Sequence, residues 1–115
     1  MNDHRGQLRY PMTGRGQFTA GTPPVSLGVR LRDISEAGIS FLSDVAIAAG
    51  ARGQVSFSVH TGGENLAAAL DVQVQTCVLE RHAHRVGAVF VDTGGAAGEQ
   101  IARVVAARAA VVKGR

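Results

Sequence analysis

Hydrophobic and polar residues alternate along most of this chain with the period of two that marks β-strands half buried in a sheet. The clearest run is Val25, Leu27, Val29 and Leu31, separated by Ser26, Gly28, Arg30 and Arg32. It predicts a strand with its arginines facing outward. Before it, Thr13 to Ala20 reads as a first strand with Phe18 inward, weakened by Gly14 and Gly16, and Gly21-Thr22-Pro23-Pro24 as a loop. Ser35 to Gly38 predicts a turn and Ile39 to Leu42 the returning strand of a hairpin. Asp44 to Arg52 reads as a loop with one helical turn over its alanines. Val55, Phe57 and Val59 alternate again, followed by a turn at Thr61-Gly62-Gly63-Glu64-Asn65.

A long strand is expected from Ala67 to about Leu79, with Leu70, Val72, Val74, Thr76 and Val78 on one face and Asp71, Gln73 and Gln75 on the other. Arg81-His82-Ala83-His84 turns the chain. From Arg85 to Asp92 the residues are almost continuously apolar, which predicts a strand covered on both faces, one cover being a helix. From Gly98 the period lengthens, and Ile101, Val104, Val105 and Val112 share one helical face. Residues 1–12 have no apolar periodicity, and Pro11 disfavours a helix ending at Tyr10. They read as a flexible N-terminal arm preceding a single domain over 13–112. The predicted fold is mainly β: six antiparallel strands in a closed barrel with a C-terminal α-helix, closure removing exposed edges.

The 115 residues, 45% of them hydrophobic, suit one compact core. No stretch approaches the roughly 20 apolar residues of a membrane span, and Met1 to Arg5 lacks the apolar region of a signal peptide. A soluble, cytoplasmic domain is expected. The single cysteine, Cys77, leaves no internal disulfide. The net charge of +3 is unevenly spread: residues 1–32 carry +4 and the remainder −1. A positive field over the first third would attract an anionic ligand. Eleven of the twelve basic residues are arginine, whose planar fork matches phosphate or a guanine edge, although a bias in base composition also produces such a count.

Two short motifs concentrate the chemistry. Arg5 and Arg9 sit four residues apart on the arm, and Asp33, Ser35 and Gly38 space a carboxylate, a hydroxyl and a glycine along the turn. Guanine offers O6 and N7 as adjacent acceptors to a guanidinium, and its N1 and N2 donors to a carboxylate. Phosphates take charge-assisted hydrogen bonds from the same arginines. Asp33 and Ser35, two apart, would point the same way in extended backbone, and Gly38 suits a positive φ or close ligand approach. Taken singly, two arginines on a tail are solubilising charge, and Asp-x-Ser-x-x-Gly is a turn capping its own backbone.

Together, Arg5-Gly6-Gln7-Leu8-Arg9 and Asp33-Ile34-Ser35-Glu36-Ala37-Gly38 resemble the two motifs of the PilZ domain, a bacterial receptor for cyclic di-GMP. Arg85 to Asp92 is similar to a late strand of that family, and the likeness runs from Arg5 to about Val112. The resemblance implies a six-stranded split barrel of PilZ type. It also implies that Arg5 and Arg9 take guanine edges and phosphates of cyclic di-GMP while Asp33, Ser35 and Gly38 form the facing wall. The nucleotide would then join arm to barrel and switch contact with a protein partner or self-association. The family also includes adaptors that work through protein contacts with weak or no nucleotide binding. His4, just before the first arginine, is either a further contact or a frayed end. Arg30 and Arg32 are either added attraction for phosphate or a solvated strand face.

Other chemistries have thinner support. Cys77, His82 and His84 fall short of a zinc set, which needs three or four ligands in register. Cys77 follows alternating core residues and reads as a small buried hydrophobe rather than a nucleophile, so no enzymatic activity, cofactor or metal is expected. The glycine pairs lack the lysine and helix start of a phosphate loop. A nucleic-acid polymer is disfavoured because Tyr10, Phe18, Phe41, Phe57 and Phe90 are the only aromatics and the phenylalanines fall at core positions.

Overall fold

A computed structural model describes residues 8–61 and 63–113. In chain order the elements are β1 (Tyr10–Pro11), β2 (Arg15–Ala20), β3 (Val25–Ile34), β4 (Gly38–Ser43), β5 (Arg52–Thr61), β6 (Glu64–Glu80), β7 (Ala83–Phe90) and α1 (Ala96–Lys113). Every pairing is antiparallel. The lateral order is β3-β2-β5-β6-β7-β4, and β4 returns to pair with β3, so six strands close into a barrel. β1 is an additional outside strand on β3.

The alternation of the sequence fills the barrel. Phe41, Ile34, Ile39, Val55, Val72 and Val86 are among the fully buried side chains, and the rings of Phe18 and Phe41 lie tilted with centroids 5.9 Å apart. The chain enters the sheet earlier than its pattern suggests. Tyr10 and Pro11 pair with Ile34 and Asp33, the Met12 amide donates to the Arg32 carbonyl at 2.8 Å, and the Met12 side chain is buried in the core.

Several expectations are corrected. The Asp44 to Arg52 loop has no helical turn. Its alanines instead make a single reverse turn, the Ala51 amide donating to the Ala48 carbonyl at 3.1 Å with Gly50 at a φ of 92°, and the turn is held against β6 because Gly50 donates to the Val74 carbonyl and Val74 donates back to Ala51. Beside that contact, β6 carries a bulge between Val74 and Thr76. One extra residue reverses the facing of every side chain beyond it on the strand. Cys77 therefore packs partly against the core, where its Sγ accepts the Ile47 amide at 3.5 Å, and Val78 points outward with 49% exposure rather than sharing the face of Val74. The turn after β6 needs only Arg81 and His82, with Arg81 at φ 56°, and Ala83 is already in β7.

β7 buries one face, through Val86, Ala88 and Phe90, while Gly87 and Val89 on the other are half-buried. The helix does not form the expected second cover: its packing is principally against β6 and β1. Ile101, Val104 and Val105 form its buried stripe, Gln100 Oε1 accepts the Ala69 amide, and Arg108 Nε donates to the Pro11 carbonyl. Among the described residues no helix is long and apolar enough to cross a membrane.

The bulge makes a testable distinction. Phe41→Ala should lower the unfolding free energy in urea by about 3–5 kcal/mol, whereas Val78→Ala should change it by no more than about 0.5 kcal/mol. Equal losses would mean that Val78 faces the core.

Candidate functional site

The site begins with a second irregularity, in β3. Leu31 pairs with Phe41 and Asp33 with Ser40, leaving Arg32 as an extra residue between two consecutive partners on β4. Strict alternation after Val29 and Leu31 would send Asp33 into the core. The bulge instead turns Asp33 to the outer surface and delivers Ile34 to the interior.

The Asp33 carboxylate gathers donors from two residues remote from it in sequence or across the hairpin, Arg9 and Ser40. Arg9, immediately before β1, places Nε at 2.8 Å and Nη2 at 2.7 Å from Oδ1. Ser40 Oγ, on β4, donates to the same oxygen at 2.8 Å. The pairing of Tyr10 with Ile34 and of Pro11 with Asp33 brings Arg9 there. The arginine side chain is 45% exposed and the aspartate 31%, so this ion pair contributes only about 0–1 kcal/mol to stability. It is a contact that can be exchanged cheaply.

Ser35 is built differently from its expected role as an outward wall residue. It is fully buried at 0% exposure. Its amide donates to the Gly38 carbonyl at 2.8 Å, and its Oγ accepts the amides of Ala37 and Gly38 at 3.2 Å each. The hydroxyl thus caps its own turn, and Ser35 does not extend the direction of Asp33 because the chain has left the strand. Arg9 Nη1 approaches the same Oγ at 3.5 Å, which ties the turn to the arginine. Gly38 does not have the positive φ that was one expectation for it: a Cβ there would run into the Ala88 carbonyl oxygen of β7. It permits close contact between β4 and β7, paired at Gly38 and Val89.

Of the residues singled out by sequence, Arg9, Asp33, Ser35 and Gly38 come together. Arg5 and His4 lie outside the described residues. Arg30 and Arg32 face outward, but toward other carboxylates, Arg30 Nη1 lying 3.5 Å from Asp44 Oδ1 and Arg32 Nη1 4.0 Å from Glu80 Oε1. Ser40 escapes the motif-based reading. Its signal is nonetheless present in the sequence: a polar residue within the apolar run Gly38-Ile39-Ser40-Phe41-Leu42, which the register of the hairpin sets opposite Asp33. Among the described residues, no three His, Cys, Asp or Glu side chains gather as a metal set.

Chemically, the cluster presents a guanidinium and a carboxylate at a rim whose backbone is fixed by Ser35. The guanidinium can donate to paired acceptors such as guanine O6 and N7, and the carboxylate can accept from N–H donors on the opposite edge of a base.

The PilZ domain family profile matches residues 3–107. No curated protein sequence matches significantly. Among solved structures, the PilZ domain of YcgR from Escherichia coli with c-di-GMP superimposes with a TM-score of 0.76 at 17% identity, covering 97% of this chain and 96% of that one. YcgR from the same organism in complex with c-di-GMP gives 0.67 at 19% identity, covering 95% and 50%. The inhibitor of motility MotI/DgrA of Bacillus subtilis gives 0.73 at 14% identity, covering 99% and 54%. This chain therefore spans nearly all of the first and about half of the other two.

The two hydroxyl and ionic roles separate by stability. Ser35→Ala removes the acceptor of the buried Gly38 amide and of the part-buried Ala37 amide and should cost about 1–3 kcal/mol in chemical denaturation. Arg9→Ala should cost no more than about 1 kcal/mol.

Proposed function

The chain belongs to the PilZ domain family, and from that premise we propose that it is a receptor for cyclic di-GMP in which Arg9 and Asp33 hold the nucleotide between the N-terminal arm and the β3–β4 turn. The observation that carries this reading is the placement of the Arg9 guanidinium against the Asp33 carboxylate, with Ser35 Oγ also in reach. Solved domains of the same fold carry c-di-GMP, which supports the choice of ligand.

In this reading Arg9 exchanges its weak bond to Asp33 for a guanine edge or a phosphate. Asp33 takes the N1 and N2 donors of a base. All three donations it receives fall on Oδ1, and a carboxylate has further lone pairs on its second oxygen. Ser40 keeps the carboxylate oriented during the exchange. Ser35 acts mainly by fixing the turn, and Gly38 by letting β4 lie close to β7. Arg5, four residues before Arg9, supplies the second guanidinium of the clamp. The domain is a cytoplasmic binding module and not an enzyme, and the joined arm and nucleotide create the surface that a protein partner or a second copy reads.

Isothermal titration calorimetry with cyclic di-GMP should give saturable binding. Arg5→Ala, Arg9→Ala and Asp33→Ala should each weaken it by about tenfold or more, the scale of a lost bidentate contact, without matching losses of fold stability. Absence of heat at high micromolar ligand would reject the receptor reading. Unchanged affinity in all three variants would reject the site.

A further inference from the structure

One row of outward side chains crosses five neighbouring strands. Arg15 on β2 pairs with Arg30 on β3, Arg30 with Leu42 on β4, Leu42 with Arg85 on β7, and Arg85 with Val78 on β6. The arginines and Val78 are exposed and Leu42 is half-buried, so the row reads basic, basic, apolar, basic, apolar across the outside of the barrel. Arg32 and Arg81 flank it, lining one shallow depression with Arg30, Leu42 and Glu80.

Five arginines thus share this face with two carboxylates. Asp44 lies 3.5 Å from Arg30, while Glu80 binds Arg85 at 2.7 Å and reaches Arg32 at 4.0 Å. Among the described residues no ion pair involves Arg15 or Arg81. Setting Arg15 directly opposite Arg30 places like charges side by side, an arrangement that costs sheet stability. The neighbouring outer face, over β2, β3, β5 and β6, has Arg15 at its border and is otherwise small and uncharged, with Gln17, Gly28, Ser56, Ser58 and Ala67.

We propose that the outer face of β2, β3, β4, β7 and β6 is a docking surface for an acidic segment of a partner protein that carries apolar side chains between its carboxylates. Arginine forks recognise carboxylates, and Glu80 already demonstrates that recognition with Arg85. Half-buried Leu42, between Arg30 and Arg85, and exposed Val78 at the end of the row give the face apolar area beside its charges, as protein interfaces have. Single-stranded nucleic acid fits less well because all four phenylalanines are buried, leaving no phenylalanine ring on this face for bases to stack upon. A second copy fits less well because the chain is itself basic. The surface adjoins Asp33 but needs no nucleotide, so it does not rest on the receptor reading.

The probe is a short fluorescent peptide of alternating Glu and Leu, followed by anisotropy at physiological ionic strength. Saturable binding is expected, weakened at least about tenfold by the double variant Arg15→Glu/Arg30→Glu and also weakened by Val78→Ser, which removes apolar area without changing charge. Arg103→Glu, on the exposed side of the helix, should leave it unchanged. Glu80→Gln, which releases Arg85 and Arg32, should tighten it. The proposal is overturned if the peptide does not bind, if the double variant binds it as well as the parent, or if phosphatidylglycerol vesicles or oligothymidylate bind as tightly as the peptide. Cyclic di-GMP affinity of the double variant, measured in parallel, should stay at the parent value. Its loss would assign these arginines to the nucleotide and overturn a separate docking face.

Discussion

One extra residue in β3 determines which side chains face outward and which face the core. The bulge at Arg32 lets Val29, Leu31 and Ile34 all enter the barrel while Asp33, the residue between them that could not be buried cheaply, turns outward. An isolated buried carboxylate would have cost several kcal/mol or been neutralised. Closure of the barrel by β3 and β4 runs through this same irregular segment, so core filling and site building are one event. The bulge in β6 at Gln75 acts similarly, bringing Cys77 toward the core and releasing Val78 to the basic face.

Around that constraint the parts divide their labour. Ser35 and Gly38 shape the backbone, one by capping the turn and the other by allowing β7 to approach. Ser40 orients the carboxylate, and Arg9 lies across it. An arginine held by an exposed ion pair is positioned without being committed. Pre-positioning reduces the ordering cost that a bound ligand must offset, and the weakness of the pair keeps the cost of exchange low.

Much of this is legible in the sequence. Alternation locates the strands of the barrel, the lengthened period after Gly98 locates the helix, and the Asp33 to Gly38 turn lies where the motif puts it. Period-two reasoning fails at a bulge, because nothing in the residue types of Arg32 or Gln75 announces the inserted position. Strict alternation therefore sends Val78 inward and gives Asp33 and Ser35 a common direction, both against the structure. Tyr10 to Met12 reads as arm because a two-residue strand has no period to detect, and its docking depends on β3 and α1, remote in sequence. The reason for Gly38 is likewise invisible, since Ala88 lies 50 positions away along the chain. The family resemblance singles out Arg9 and Asp33, though not their ionic contact, and misses Ser40, whose place opposite Asp33 comes from hairpin register.

The central claim is that Arg9 hands its hydrogen bonds from Asp33 to a cyclic dinucleotide. Side-chain NMR of arginine, following the Nε–Hε resonance of Arg9 during titration with cyclic di-GMP, tests it most directly. The account predicts that this resonance shifts and becomes protected together with the amides of Asp33 through Gly38, while resonances at the opposite end of β2 and β5, such as Thr19 and Gln54, stay in place. A saturated nucleotide complex in which Arg9 Nε–Hε and the turn amides do not move would contradict it.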